Sequence, residues 1–285
     1  MILVTGATGN VGSSVVAELV AKGEPVRAFV RDAERAVKRL GKDVELSVGD
    51  FQDPSAIARA VEGIDALFLS STDWPGKVEF ETSVIDAAKA AGVRKIVKAS
   101  TVGAVVGAAL PPFDWHGQIE KHLQASGISA VVLHSYFYMT NLLAAAEPVR
   151  QMGKLFAPAA GAKIAMIDPR DSGVVGAAAL TTDAYDGRTL ELSGPEAITY
   201  DQAAQDLSAA TGKTIEFVGI PDEAAREAYV GAGMPEWLVT HLSALFPLLR
   251  DDLVAQPTDT VHAVTGRNPR SFAEWAGDHA ALFAS

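Results

Sequence analysis

Three glycines near the start of the chain, Gly6, Gly9 and Gly12, punctuate the stretch TGATGNVG at positions 5–12 in the pattern G-x-x-G-x-x-G. Glycine takes the backbone angles of a tight turn and leaves no Cβ between the backbone and a pyrophosphate. The third glycine lets a following helix pack closely on the preceding strand. That helix, opening near Val11, offers free N–H groups and a partial positive charge to phosphates. Thr8 and Asn10 can add side-chain hydrogen bonds. A plain glycine turn reads the same way in isolation. Here a short apolar strand ends at Thr5 and an amphipathic helix follows, which is the setting a dinucleotide loop needs. The spacing differs from the common G-x-G-x-x-G fingerprint, but the physics is shared.

The choice of dinucleotide turns on the end of the second strand. A chain that uses NAD carries Asp or Glu there, about 20 residues past the loop, to bond the ribose 2′-OH. This chain has Arg31 at the strand end, followed by Asp32. A guanidinium suits a 2′-phosphate through fork-like, charge-assisted bonds and can stack on adenine. NADP is favoured. Asp32 can still turn toward a ribose, which leaves NAD open. Asp50 and Phe51 end the third strand, placed for the adenine edge and face. Ser70, Ser71 and Thr72 end the fourth, and Ser100 and Thr101 the fifth. Each hydroxyl alone is an ordinary cap or turn residue. Their recurrence at successive carboxyl ends points to one site.

The elements that must position these residues alternate. Apolar runs at the N-terminus, 25–31, 44–50, 65–71, 95–101 and from Ser129 read as strands, with helical patterns between them. Asp53 and Pro54 mark a helix start as N-cap and first helical residue. Strands separated by helices of this length require right-handed crossovers and a mainly parallel sheet. The fold class is α/β: a Rossmann-like doubly wound parallel sheet with a smaller C-terminal α/β region. Residues 1–150 are assigned to the dinucleotide-binding domain, with strands returning from the second half. Residues 151–285 are assigned to a substrate or lid region. Phe246, Leu248 and Leu249 could form an apolar lid, although such spacing is more often core.

Composition narrows the function classes. The 285 residues are 48% hydrophobic and 21% charged, an ordinary globular balance, with a net charge of −11. No basic stripe exists for nucleic acid, and an anionic membrane surface would repel the chain. The longest mostly apolar stretch, 129–146, contains His134, Ser135 and Asn141 and reads as a strand leading into a helix rather than a membrane span. No basic segment precedes the first strand, so a cytoplasmic location is expected. With no cysteine, disulfides, thiolate catalysis and cysteine-held metals are excluded. The six histidines are scattered without metal-ligand spacing, and no metal site is expected.

The stretches ILVTGATGNVG, VRAFVRD, GDFQDP and VRKIVKAS resemble the NmrA-like family of atypical short-chain dehydrogenases. WHGQIEKHL followed by YFYMTNL is similar to the type 2 NAD(P)H:quinone oxidoreductases within that group. The likeness continues through IDPRDSGVVGAAAL into the C-terminal half. It implies an NADPH-dependent oxidoreductase passing hydride to a small apolar acceptor, such as a quinone or related aromatic carbonyl. The family also holds dinucleotide-sensing regulators that bind a protein partner. A biosynthetic reductase acting on an aromatic or polyketide-like substrate is a third reading.

The resemblance assigns residues as well. Ordinary short-chain dehydrogenases use Tyr-x-x-x-Lys, four residues apart on one helical face. Lys121 fits the lysine, but Gly117 stands where the tyrosine is expected. His116 matches a histidine of the quinone-reductase subgroup and lies five residues before Lys121, about 140° around the helix. His134 and Ser135 replace an Arg-Pro or Arg-Asn pair of relatives, and Tyr136 replaces a small residue. The candidate catalytic residues are therefore Lys121, Tyr136 and His116, with Tyr136 or Tyr138 able to supply the missing proton. Lys121 would also bond the nicotinamide ribose.

Overall fold

The computed structural model describes residues 1–284. In chain order its elements are β1 (Ile2–Val4), α1 (Asn10–Ala21), β2 (Val26–Val30), α2 (Ala33–Leu40), β3 (Glu45–Val48), α3 (Pro54–Val61), β4 (Ala66–Leu69), α4 (Lys77–Ala90), β5 (Lys95–Thr101), α5 (Pro111–Ser126) and β6 (Ser129–Ser135). A 3-10 turn (Met139–Ala145) leads to α6 (Ala146–Met152), β7 (Lys154–Ala157), α7 (Pro169–Leu180), β8 (Thr189–Leu192) and α8 (Tyr200–Thr211). The chain ends with β9 (Glu216–Gly219), α9 (Asp222–Gly231), α10 (Glu236–Arg250), α11 (Thr260–Thr265) and α12 (Phe272–Ala284).

Seven strands form one sheet in the order β3-β2-β1-β4-β5-β6-β8. Pairing is parallel from β3 through β6. Chain order reverses between β1 and β4, which makes that point the switch where doubly wound sheets take their ligands. All four residues of β4 are buried, as a strand covered on both faces requires. The core on one face joins Phe29, Leu67, Leu69, Ile85, Ile96, Ile119 and Leu123. Burying each such side chain contributes about 1.5–3 kcal/mol. Helix α3 starts as its sequence demands: the Asp53 carboxylate accepts from Ser55 N–H at 2.9 Å, with Pro54 next.

Two compact units emerge. The first comprises Met1–Ser135, Pro169–Glu191 and Ala263–Gly266; the second comprises Tyr136–Asp168, Leu192–His262 and Arg267–Ser285. The division therefore falls at residue 135 rather than 150. Helix α7 and most of β8 return to the first unit, because β8 extends the sheet beyond β6.

Within the second unit β7 and β9 pair in parallel. Helix α8 begins with a reciprocal capping box between Thr199 and Gln202. Tyr200 packs against Phe217 and Phe246, and fully buried Trp275 on α12 packs against Phe272 and Phe283. Phe246 and Leu249 are buried in this core, and Leu248 is half-buried.

Candidate active site

The turn between β1 and α1 is built on backbone. Gly6 has φ +59°, and a Cβ there would lie 2.8 Å from the Ser70 carbonyl oxygen. At Gly12 a Cβ would meet the Gly6 carbonyl oxygen at 2.3 Å, so only glycine closes the turn. Gly9 N–H donates to that same oxygen at 2.9 Å. Gly9 caps α1 without a side chain, and the first turn carries no acidic residue. The N–H groups of Asn10, Val11 and Gly12 thus belong to a first helical turn that no side chain caps. Thr8 is half-buried beside them and Asn10 is exposed. Buried Thr5 ties the turn to β4: Ser70 N–H donates to its Oγ1 at 2.9 Å, and that hydroxyl faces the Ser70 carbonyl.

Arg31 is exposed at the end of β2. Asp32 is committed: it caps α2 by accepting from Arg35 N–H at 3.0 Å. Asp50 accepts from Gln52 N–H in the turn after β3. Phe51 is half-buried, with ring centroids 5.2 Å from Phe29 and 6.1 Å from Phe80. Trp74 extends this aromatic row at 4.6 Å from Phe80. Thr72 is exposed.

Behind β4 and β5 lies a charged cluster that the sequence reading missed. Glu81 on α4 is fully buried between two fully buried lysines. Lys77 Nζ lies 3.0 Å from Oε1, and Lys98 Nζ lies 2.9 Å from Oε2. Ser71 donates its hydroxyl to Oε1 at 2.7 Å, so it points into the cluster. Lys77 also donates to the Ser71 carbonyl at 2.9 Å and pairs with Asp73 at 3.2 Å. Burial pushes the Glu81 carboxyl up, but Lys77 and Lys98 outweigh it and hold the group down to about 2. Burial lowers the Lys98 ammonium, aided by the charge on Lys77 and opposed by Glu81.

His116 on α5 joins this cluster. It is buried, with Nδ1 3.2 Å from Lys98 Nζ and Nε2 3.3 Å from Asp73. Burial, then the charges on Lys98 and Lys77, lower its pKa to about 4 against the pull of Asp73. The ring is neutral at pH 7. Ser100 on β5 lies 3.2 Å from Nδ1 and donates a short bond to Glu120. Glu120 also faces His134 Nε2 on β6 at 3.0 Å.

Helix α5 therefore presents His116 and Glu120 inward, while Lys121 is exposed. His116 shares a buried stripe with Ile119 and Leu123, and Lys121 lies off it. Gly117 also has a structural reason. A Cβ there would lie 2.4 Å from the Val105 carbonyl carbon and 2.5 Å from Val106 N. The loop after β5 crosses the helix at this point, so no tyrosine fits. Tyr136 is buried in the second unit, where its N–H donates to the Leu192 carbonyl at 2.9 Å.

The structure thus brings Ser71, Ser100 and His116 together around the cluster, with the glycine loop, Arg31, Asp50 and Phe51 across the other strand ends. A lysine inside the apolar β5 run KIVKAST, and Lys77 and Glu81 on the apolar stripe of α4, were the available signals for the missed residues. Among the described residues, no group of three or more His, Asp or Glu is placed to hold a metal ion. No described helix is long and apolar enough to cross a membrane.

The model of the NmrA-like family matches residues 1–276. The NAD(P)H azoreductase of Xenophilus azovorans is 36% identical over 283 residues, covering 99% of this chain and 99% of that protein. A (4-alkanoyl-5-oxo-2,5-dihydrofuran-3-yl)methyl phosphate reductase of Streptomyces griseus is 37% identical over 286 residues, covering 100% and 99%. Among solved structures, the Escherichia coli NADPH-dependent quinone oxidoreductase QOR2, crystallised with NADPH, superposes with a TM-score of 0.87. It is 28% identical, with 98% of this chain and 99% of that chain covered.

Proposed function

This chain belongs to the NmrA-like family, and from that membership and the geometry above we propose that it is an NADPH-dependent oxidoreductase reducing a small, flat, apolar acceptor such as a quinone. An azoreductase, a dihydrofuranone reductase and a quinone reductase stand among its relatives. All three names describe conjugated, electrophilic acceptors.

The observation that carries the cofactor reading is the pairing of an uncapped glycine turn with a free guanidinium. Cβ atoms at Gly6 and Gly12 would strike backbone, so only glycine closes the turn, and the uncapped first-turn N–H groups of α1 are left for a pyrophosphate. Arg31 is exposed for a 2′-phosphate, while Asp32, the one carboxylate that would select NAD, is spent on capping α2. Thr8, Asn10 and Val11 belong to the same cradle. Asp50 and Phe51 flank the adenosine side.

NADPH supplies the hydride when bound. The chain supplies orientation, a dry surface and the proton side of the reaction. Because the glycine turn and Arg31 claim the β1–β2 half of the switch point, the reacting half of the cofactor lies toward β4 and β5. His116, Ser100 and Glu120 stand on that side. His116 replaces Lys121 as the α5 residue of the site, with a neutral ring whose single N–H faces Asp73 at rest and must turn from it to meet an acceptor gaining negative charge. An electrophilic acceptor needs less acid assistance than a ketone, which suits a helix without the tyrosine. A cytoplasmic location is part of this reading.

Steady-state oxidation of NADPH against a panel of quinones and azo dyes tests the proposal. Turnover with at least one acceptor, and a preference for NADPH over NADH, is expected. No turnover with any acceptor would sink it.

A further inference from the structure

Lysine is rare in the interior of a sheet covered on both faces, and a lysine with no exposed atoms needs every proton placed. Lys98 has three close polar neighbours. Its ammonium donates a short bond to the Ala99 carbonyl, faces Glu81 Oε2 at 2.9 Å and faces His116 Nδ1 at 3.2 Å. An ammonium has three donors and no acceptor. With Lys98 kept charged by its pairing to Glu81, the imidazole nitrogen that meets it is the unprotonated one. The remaining ring proton sits on Nε2, which faces the Asp73 carboxylate at 3.3 Å.

We infer that Lys98 is the positioning residue of the site: it holds His116 as the neutral Nε2–H tautomer and aims that N–H away from the sheet, toward half-exposed Asp73 at the carboxyl ends of β4 and β5. This rests on the reductase reading above for its role in turnover, but the tautomer itself does not. Ser100 offers the alternative. Its oxygen lies as close to Nδ1 as Lys98 does, and it could accept a proton from that nitrogen if the ammonium were absent. Without Lys98 the ring is free to reverse, leaving Nε2 as an acceptor where a donor is needed.

Charges facing His116 come from every element around it. Lys98 projects from β5, and Lys77 and Glu81 from α4. Asp73 comes from the loop after β4, and Glu120 lies one turn along α5 and is bridged through Ser100. His134 on β6 meets Glu120 rather than His116. Asp73 is the one neighbour that favours the imidazolium by direct contact, and it lies across the ring from Lys98. The two act in opposition along the Nδ1–Nε2 axis. Removing Lys98 thus changes both tautomer and titration, which loss of packing alone does not do.

Nitrogen NMR of histidine-labelled protein tests the inference. In the wild-type chain His116 is expected to stay neutral with its proton on Nε2 from about pH 5 to about pH 8. A proton on Nδ1 in the wild type would overturn the inference with no variant needed. In Lys98→Met the proton is expected to move at least partly to Nδ1, and the ring to titrate at a higher pH. An unchanged tautomer and titration would overturn it too. If the methionine variant does not fold, the wild-type spectrum still decides the tautomer. Lys98→Arg supplies the second variant: it keeps a charged donor and is expected to restore Nε2–H.

For the role in turnover, Lys98→Met is expected to lower kcat by about tenfold or more while leaving KM for NADPH unchanged, since preorganised donors act on the reacting state. The acid limb of kcat is expected to move up with the ring's titration. Unchanged kcat alongside a reversed tautomer would overturn that role. A wild type that fails to oxidise NADPH with any acceptor removes the reductase reading and leaves the tautomer result standing.

Discussion

The turn after β1 and the cluster behind β4 and β5 both handle charge at the same edge of one sheet, and they do so by opposite means. The turn uses no charged side chain. Its three glycines withdraw every Cβ, its helix starts without a side-chain cap, and the field it offers is the fixed field of peptide dipoles. The cluster uses charged and polar side chains from four places in the chain, three of them with almost no solvent exposure. Backbone dipoles need no counter-ion and can wait for a ligand. Buried ions cannot wait: desolvation costs several kcal/mol per ion, so each must be matched at once. The first region is thus suited to receiving a charged molecule, and the second to holding a neutral ring in a set state.

The strongest way to break this contrast is to unbalance the cluster. Glu81→Ala leaves Lys77 and Lys98 side by side without their shared carboxylate. Removing one partner from a buried ion pair costs about 3–5 kcal/mol, and urea unfolding should show a loss in that range. Acid should probe the same group. The Glu81 carboxyl is held down to about 2, below its unfolded value of 4.5. Its contribution is therefore complete above the unfolded value and lost as pH falls through the folded one. Glu81→Ala should flatten the stability profile between those limits.

In the turn, the same size of chemical change should act on the ligand. Gly12→Ala places a methyl group against the Gly6 carbonyl, where 2.3 Å is too close for any Cβ. The turn must open, and NADPH binding measured by calorimetry should weaken by roughly 10- to 100-fold, a change of about 1.4–2.7 kcal/mol. Arg31→Ser should act more selectively. A charge-assisted hydrogen bond contributes about 1.5–3 kcal/mol, so kcat/KM for NADPH should fall about 10-fold or more while that for NADH stays unchanged. Equal losses for both cofactors would show that Arg31 supports the turn instead of reading the 2′-phosphate.

The turn could be read in the sequence because its demands are local. Glycine spacing, an arginine at a strand end and the Asp53–Pro54 helix start each follow from a few consecutive residues. The cluster depends on what covers it. Lys77 and Glu81 are an i, i+4 pair of the kind that usually lies in solvent, and only the packing of α4 against the sheet turns it inward. Lys98 shows itself only as a charge in an apolar strand. Gly117 looked like a missing acid because the loop that crosses it, through Val105 and Val106, is set by tertiary structure. The orientation of α5 was closer to legible. His116, Ile119 and Leu123 follow helical spacing on one stripe, and that stripe excludes Lys121.

Lys121 therefore gives the smallest expected effect and the cleanest control. It is exposed and forms no hydrogen bond or ion pair among the described residues. Lys121→Ala should change stability by no more than about 0.5 kcal/mol, the range for surface sites without special contacts, and leave kcat and KM for NADPH unchanged. Glu120→Gln, one residue earlier, keeps the shape but removes the charge that receives Ser100 and faces His134. Its effect should exceed that of Lys121→Ala in both unfolding and turnover. If the order were reversed, the helix would present its lysine to the cofactor as in ordinary short-chain dehydrogenases, and the inward stripe of His116 would serve packing alone.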